Sequence, residues 1–236
     1  MFKSIYISFF RVFKYLFSIL GLLNLLEKSK SKFFKHIRSL FSIYDYKDLS
    51  SLDLCWWTYE SIDHVEDFIN RRNNNFEKIK VFEYGAGSST LWLSKRVEKI
   101  ISVEHDKFFF DDIKRFSKDK KNIEIILRTP IQLCDDQTSE FNSQKTGFTS
   151  LCFSDYVNAI NEFDCLFDII VIDGRARNAC LEAALKKLTK NGIIIFDNSH
   201  RKRYKQYIKS FDFKKTTFKG LAPSLPYPDE TTIIFK

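Results

Sequence analysis

The feature that most restricts what this chain can fold into begins at Lys80. From there, apolar runs of strand length, "KVFEY", "KIISVEHD", "NIEIIL", "FDIIVIDG" and "GIIIFDN", alternate with stretches patterned as helices. Near-continuous Val, Ile and Phe mark strands buried on both faces, and helical spacers between them make parallel βαβ units. The fold class expected is α/β, around a parallel sheet. Cys180, Leu181, Ala184, Leu185 and Leu188 share one helical face, and "KNG" at 190–192 is expected to end that helix with a glycine cap. Thr129 to Ser150 shows no period; it follows a strand's carboxyl end, where long loops usually carry function. After the fifth run, "SFDFKKTTFKG" and "DETTIIFK" read as an antiparallel pair at the sheet's edge, joined by the proline-bearing "LAPSLPYP".

With 236 residues the chain has room for one full domain and an appendage. We divide it into a basic amphipathic extension, 1–48, and a main domain, 49–236. That domain comprises a lead-in over 49–79 ("CWWTYESIDHVEDFI", a loop and then a helix ending at "RRNNN") and a core over 80–236. The net charge of +8 is concentrated in the extension: nine basic and two acidic residues from Met1 to Lys47 leave +7 there. The remainder is nearly neutral, so the basic face that a nucleic-acid partner requires is not implied. Within residues 1–26, Ser4, Ser8, Arg11, Lys14, Ser18 and Gly21 form one polar stripe on an otherwise apolar helix, and its longest apolar run is too short to span a bilayer. A helix lying in the membrane interface, followed by lysines that attract anionic headgroups, is one expectation; packing on the domain or against another chain is the other. The five cysteines form no metal-spaced pair and are odd in number, which fits a reducing cytoplasm, at the inner face of the membrane if the helix docks there.

The stretch "FEYGAGSST" places two glycines just after the first strand. A phosphate-binding P-loop needs a lysine after its glycines, and here Ser88, Ser89 and Thr90 follow. A dinucleotide turn needs a third glycine where Thr90 stands. Glu83, two places ahead of Gly85, is expected to face the ligand. A carboxylate ~6 Å from a unit charge interacts by roughly 3 kcal/mol at an effective dielectric of ~20. Such a charge repels pyrophosphate and favours S-adenosylmethionine, whose ribose Glu104 at the end of the second strand would bind.

With those residues the chain resembles the class I S-adenosylmethionine-dependent methyltransferases, over about Trp56 to Lys236. "FEYGAGSSTLWLS", "VEHD", "FDIIVIDGRAR" and "NGIIIFDN" look like bacterial small-molecule, catechol-type O-methyltransferases. The resemblance implies a Rossmann-like, doubly wound seven-stranded sheet, mostly parallel with a reversed last strand. It also implies a cofactor site at Glu83, Gly85, Gly87 and the following Ser88, Ser89 and Thr90, with Glu104 on the ribose and His105 beside the adenine.

Asp173 in "VIDGR" and Asp197-Asn198 in "IIFDNSH" end neighbouring strands, so two carboxylates and an amide oxygen are expected to converge on Mg²⁺ or another hard divalent cation. Such an ion would hold a substrate oxyanion for in-line methyl transfer. Catechol-type enzymes place a lysine three residues after the first aspartate; here Ala176 stands there, and His200 is the substitute base. Arg175 and Arg177 are expected at an acidic or polar substrate, and Trp56 and Trp57 at a ring. The expected function is methyl transfer to a hydroxyl oxygen of a sugar, glycan precursor or phenolic metabolite. A non-catalytic cofactor-binding or regulatory protein is the main alternative, and a nicotinamide oxidoreductase, opposed by Glu83, is the weaker one.

Overall fold

The computed structural model describes residues 2–29, 31–133 and 140–236 and, within the first helix, the side chains of Ser8, Phe10 and every residue from Val12 onward. Five helices precede the sheet: α1 (Phe2–Ile19), α2 (Leu22–Lys28), α3 (Lys32–Leu40), α4 (Tyr46–Ser51) and α5 (Tyr59–Asn74). There follow β1 (Lys80–Tyr84), α6 (Ser88–Ser94), β2 (Lys99–Glu104), α7 (Lys107–Phe116) and β3 (Ile123–Leu127). The expected long loop begins and ends in a two-residue ribbon, β4 (Ile131–Gln132) with β5 (Leu151–Cys152), and 134–139 within it, with Cys134, lie outside the described residues. Then come α8 (Ser154–Asn158), β6 (Phe167–Ile172), α9 (Arg177–Lys187), β7 (Leu188–Phe196), α10 (Lys202–Lys209), β8 (Lys215–Leu221) and β9 (Pro228–Phe235).

The main sheet has seven strands in the order β3-β2-β1-β6-β7-β9-β8. Strands β1, β2, β3, β6 and β7 are parallel, while β9 runs antiparallel to both β7 and β8. The reversed strand is thus the last in sequence, and it lies second from the edge. Side-chain alternation sorts the core onto two faces. Phe82, Tyr84, Val103, Ile170, Ile172 and Ile194 pack with α8, α9 and α10. Their neighbours Val81, Ile100, Ile169, Val171, Ile193 and Ile195 pack with Ile62, Val65 and Ile69 of α5 and Trp92 of α6. Covering both faces is what allows these strands to be apolar throughout, each fully buried side chain contributing about 1.5–3 kcal/mol.

The glycine of "KNG" has a different role from the one expected. α9 stops at Lys187, Leu188 already pairs with Phe167, and the register shifts before Ile169 meets Ile193. Gly192 sits in that irregularity, where an added Cβ would lie 2.8 Å from Leu188 Cδ1 and 2.9 Å from the Asp168 carbonyl oxygen. Close backbone approach at a bulge, and not a helix cap, requires this glycine.

The extension is tied to the body. Arg38, 4% exposed, forks onto Asp48 at 2.9 and 3.0 Å and reaches Glu27 at 2.7 Å. Ser39 Oγ accepts from the Ser224 backbone at 3.0 Å. The boundary expected between 48 and 49 falls inside α4, whose Tyr46 and Leu49 are buried.

Candidate functional site

The strand order turns at the β1–β6 neighbours, the place where chains of this architecture open a crevice beyond the strands' carboxyl ends. Both strands continue their ladder past their last residue there: the Asp173 amide donates to the Tyr84 carbonyl at 3.0 Å and the Gly85 amide to Val103 at 2.9 Å. Gly85 has a φ of 98°, and an added Cβ would lie 2.9 Å from the Gly174 backbone. No other residue satisfies both conditions. Gly87, by contrast, is extended (φ 175°), and a Cβ there would meet only the Trp56 ring, at 3.8 Å. Its small size leaves one side of the turn open.

Glu83 is not where the sequence reading placed it. It is wholly buried, and its carboxylate accepts hydroxyls from Ser89, from Thr90 at 2.5 Å and from Ser102 at 2.6 Å. Burial raises its pKa to about 7, against the pull of those three hydroxyl bonds, with Asp173 adding to the rise. Ser89 and Thr90 are therefore spent on Glu83, and Thr90 Oγ1 also accepts from the Gly87 amide at 2.8 Å. Ser88 is different: its Oγ is buried with no partner among the described residues. Asp173 follows the turn across the strand edge: its backbone adjoins Gly85, and its side chain is about a quarter exposed.

At the end of β2, Glu104 Oε1 accepts from the His105 and Asp106 amides at 2.8 Å each, and His105 Nδ1 lies 2.7 Å from the same oxygen. The His105 ring sits among Phe148, Phe153 and Tyr156, at centroid distances of 5.8–6.0 Å. The Arg175 guanidinium lies 4.6 Å over Phe148 and is not among the residues that line the pocket at Asp173 and Asp197.

Asp173, Asp197 and Asn198 are neighbours at the pocket edge, but a guanidinium takes the Asp173 carboxylate and the Asp197 backbone carbonyl. Arg177 is 4% exposed; it donates to Asp173 Oδ1 at 2.6 Å, to the Asp173 carbonyl at 2.6 Å, to Gly174 at 3.2 Å and to the Asp197 carbonyl. Burial disfavours its charge, and Asp173 and Asp197 more than offset that. It is a clamp between strand ends, which corrects its expected place at a substrate. Asp197 accepts the Thr231 hydroxyl on Oδ1 at 2.8 Å and the Asn198 amide on Oδ2 at 2.7 Å; Asn198 also donates to Asp229 at 2.9 Å. Burial, then Asp173, raises the Asp197 pKa well above the carboxylate range. Two of the three expected metal ligands are thus engaged by donors, and the amide turns its NH₂ group toward the carboxylates. Among the described residues no group of three or more His, Cys, Asp or Glu side chains is arranged to hold a metal ion. This donor set does not fit a divalent cation.

Sequence reasoning missed Asp229. It is buried, receives Asn198 on Oδ2, and lies 2.9 Å from His200 Nδ1 through Oδ1. The signal was the hairpin itself: β9 lies beside β7, and the Ser199 amide bonds the Glu230 carbonyl at 2.9 Å, which sets 229 opposite 198–200. Ala176 and Asn198 both have left-handed backbone, at φ 47° and 49°. Such non-glycine corners cost about 1–3 kcal/mol each and gather at functional sites.

A pocket of ≈ 250 Å³ opens beside these groups, lined by Tyr44, Trp56, Asp173, Asn198, Tyr227 and Asp229 among others. Trp56 therefore reaches the site. Trp57 does not: it is fully buried, edge-on to Trp92 at 5.9 Å, which corrects its expected contact with substrate.

No protein-family model matches the sequence, and no curated protein matches it. Solved structures do. An O-methyltransferase from Bacillus cereus in complex with SAH superposes with a TM-score of 0.57 at 15% identity, covering 98% of this chain and 100% of that one. A protein from Staphylococcus aureus assigned as a caffeoyl-CoA O-methyltransferase gives 0.53 at 12% identity, covering 81% and 92%. One from Klebsiella pneumoniae assigned as an O-methyltransferase gives 0.52 at 14%, covering 95% of each. The chain has the class I methyltransferase fold.

Proposed function

We propose that this protein is an S-adenosylmethionine-dependent methyltransferase acting on a hydroxyl oxygen of a small sugar-like, glycan-precursor or phenolic acceptor. The observation that carries the reading is the β1–β6 edge, where Gly85 and Gly174 close on each other, Gly87 leaves the turn open, and the Asp173 backbone adjoins it with a side chain about a quarter exposed. The SAH held by the Bacillus cereus structure, whose match covers 98% of this chain, supports the same ligand. The argument that a negative charge favours a sulfonium and opposes pyrophosphate leaves Glu83 and passes to Asp173 only in part, because Arg177 already pairs with Asp173 Oδ1 at 2.6 Å.

When bound, S-adenosylmethionine supplies an electrophilic methyl group. The chain's own residues do the rest. Glu104 at the end of β2 offers a carboxylate to the ribose, and the unpartnered Ser88 Oγ offers a further hydrogen bond at the turn. Tyr44, Trp56 and Tyr227 provide flat faces for a sugar or aromatic ring, while Asn198 and Asp229 present polar groups to its hydroxyls. Asp229 fixes Nδ1 of His200, which is half-exposed and adjoins the pocket residues Asn198 and Arg201 without lining the pocket itself; as the base, its Nε2 would reach in from the rim to take the hydroxyl proton as the oxygen attacks. Because Arg177 supplies the positive charge among the carboxylates, no step is routed through a metal.

Calorimetry on the full chain should show micromolar binding of S-adenosylmethionine and SAH, and Gly87→Ala should lose it while melting near the wild-type temperature. Tighter binding of a dinucleotide would overturn the cofactor. Over a panel of diols, sugars and phenols, His200→Ala should lower kcat about 10²–10⁴-fold with cofactor affinity unchanged. Firm cofactor binding with no turnover on any acceptor would make the chain a binding protein.

A further inference from the structure

The two sides of α1 are unequal in a way that the sequence stripe does not reveal. Phe10 and Phe17, with Lys14 between them, face the body: both rings contact Phe41, at 5.7 and 5.1 Å, and Lys14 bonds Asp48 at 2.9 Å and Asp45 at 3.3 Å. Lys14, one residue of the polar stripe, is thus turned inward. The apolar residues three or four places apart on the other side are left in the open: Val12 is 59% exposed, Leu16 46%, Ile19 66% and Leu20 68%. Beyond the turn at Gly21, Leu25 continues the exposed series at 66%. Monomeric soluble proteins rarely leave a contiguous apolar surface of this extent bare.

We propose that this face docks on an anionic lipid surface. Charge selects that occupant over an apolar protein partner. Of the nine cations in the first 47 residues, Lys14, Lys32, Arg38 and Lys47 pair with carboxylates, whereas Lys28 and Lys35, both exposed, have no ion pair among the described residues. Basic residues beside an exposed apolar helix face suit headgroups that bear negative charge. Contact is peripheral, since no helix among the described residues is long and apolar enough to cross a membrane. The docking face joins the acceptor pocket through α3 and the turn after it, which supplies Tyr44 to the pocket wall.

The test is co-flotation of the full chain with vesicles of phosphatidylcholine alone or with about one third phosphatidylglycerol. The wild type should float with the anionic vesicles. Leu16→Asp/Ile19→Asp should lower that affinity at least a hundredfold, the two side chains being exposed and their loss harmless to folding, as an unchanged melting temperature would verify. Lys28→Gln/Lys35→Gln should lower it about thirtyfold, and added salt should mimic the change. Failure of the wild type to float would overturn the proposal, as would equal binding to neutral vesicles. So would sedimentation showing a dimer that Leu16→Asp/Ile19→Asp dissociates while vesicle binding is absent. Because none of these readouts measures methyl transfer, they stand or fall apart from the proposed activity.

Discussion

Glu83 belongs to its turn as a brace and not as a contact for what the turn would hold. An acid two places ahead of a Gly-x-Gly turn pointed to the turn's ligand, yet the carboxylate faces inward and accepts three hydroxyls from α6 and β2. It braces the turn from behind, fixing Ser89 and Thr90, and Thr90 in turn receives the Gly87 amide. Burial raises its pKa from an ordinary 4.5 to about 7. The folded state therefore holds a proton that the unfolded chain has already released between those values. That contribution is complete below about pH 4.5 and is lost as pH rises through 7, by about 3 kcal/mol in total. Urea unfolding at pH 5 and pH 8 should show wild-type stability falling across the interval by about that much more than Glu83→Gln, which has no proton to lose. Equal falls in the two proteins would mean that the carboxylate does not titrate in this range.

Among the elements, β7 is where the local pattern and the tertiary structure diverge. The five parallel strands could be read from the sequence because burial on both faces forces runs of Val and Ile, a signal that needs no knowledge of neighbours. "LTKNG" carries no such signal. Lysine, asparagine and glycine after an apolar helical face suit a helix end, and only the pairing of Leu188 with Phe167 and of Ile193 with Ile169 reveals a bulged strand. Gly192→Ala should accordingly destabilise by about 1–3 kcal/mol, since a Cβ would press on the Asp168 carbonyl, a backbone atom that cannot swing aside. A glycine that only capped a helix by positive φ would also resist alanine, but Gly192 is not among the positive-φ residues. Gly192→Ala unfolding within a few tenths of a kcal/mol of wild type would show that the bulge yields. The site was legible to the same degree as its elements: Gly85, Glu104, Asp173 and Asp197 fall at strand ends that apolar runs locate. Asp229 was hidden because "YPDETTIIF" reads as an ordinary strand start, and its partners Asn198 and His200 become neighbours only when β9 inserts beside β7. Arg177 was hidden because nothing in "GRAR" tells a buried arginine from an exposed one.

Across the whole molecule, charge is divided between a cationic first 47 residues and a carboxylate-rich edge at the centre of the sheet. At that edge the buried cation Arg177 pairs with the Asp173 carboxylate and bonds the Asp197 carbonyl, spanning the ends of β6 and β7 and beginning α9, while Asp229 holds Asn198 and His200. Removing one partner of a buried, multiply bonded ion pair leaves the other charge unpaired, at a cost of about 3–5 kcal/mol. Arg177→Met should lose stability on that scale, whereas Arg177→Lys, which keeps the charge without the forked donors, should lose less. The same variants decide what the carboxylates are for. In the wild type the guanidinium occupies Asp173 Oδ1, so millimolar Mg²⁺ should not raise the melting temperature and a chelator should leave methyl transfer within about twofold. In Arg177→Met the freed carboxylates lack a cation, and Mg²⁺ should restore part of the lost stability by binding the folded state alone. A wild-type melting temperature that climbs with Mg²⁺ would mean that the carboxylates turn from Arg177 to an ion in solution, and would return the site to the metal-assisted chemistry expected from its aspartates.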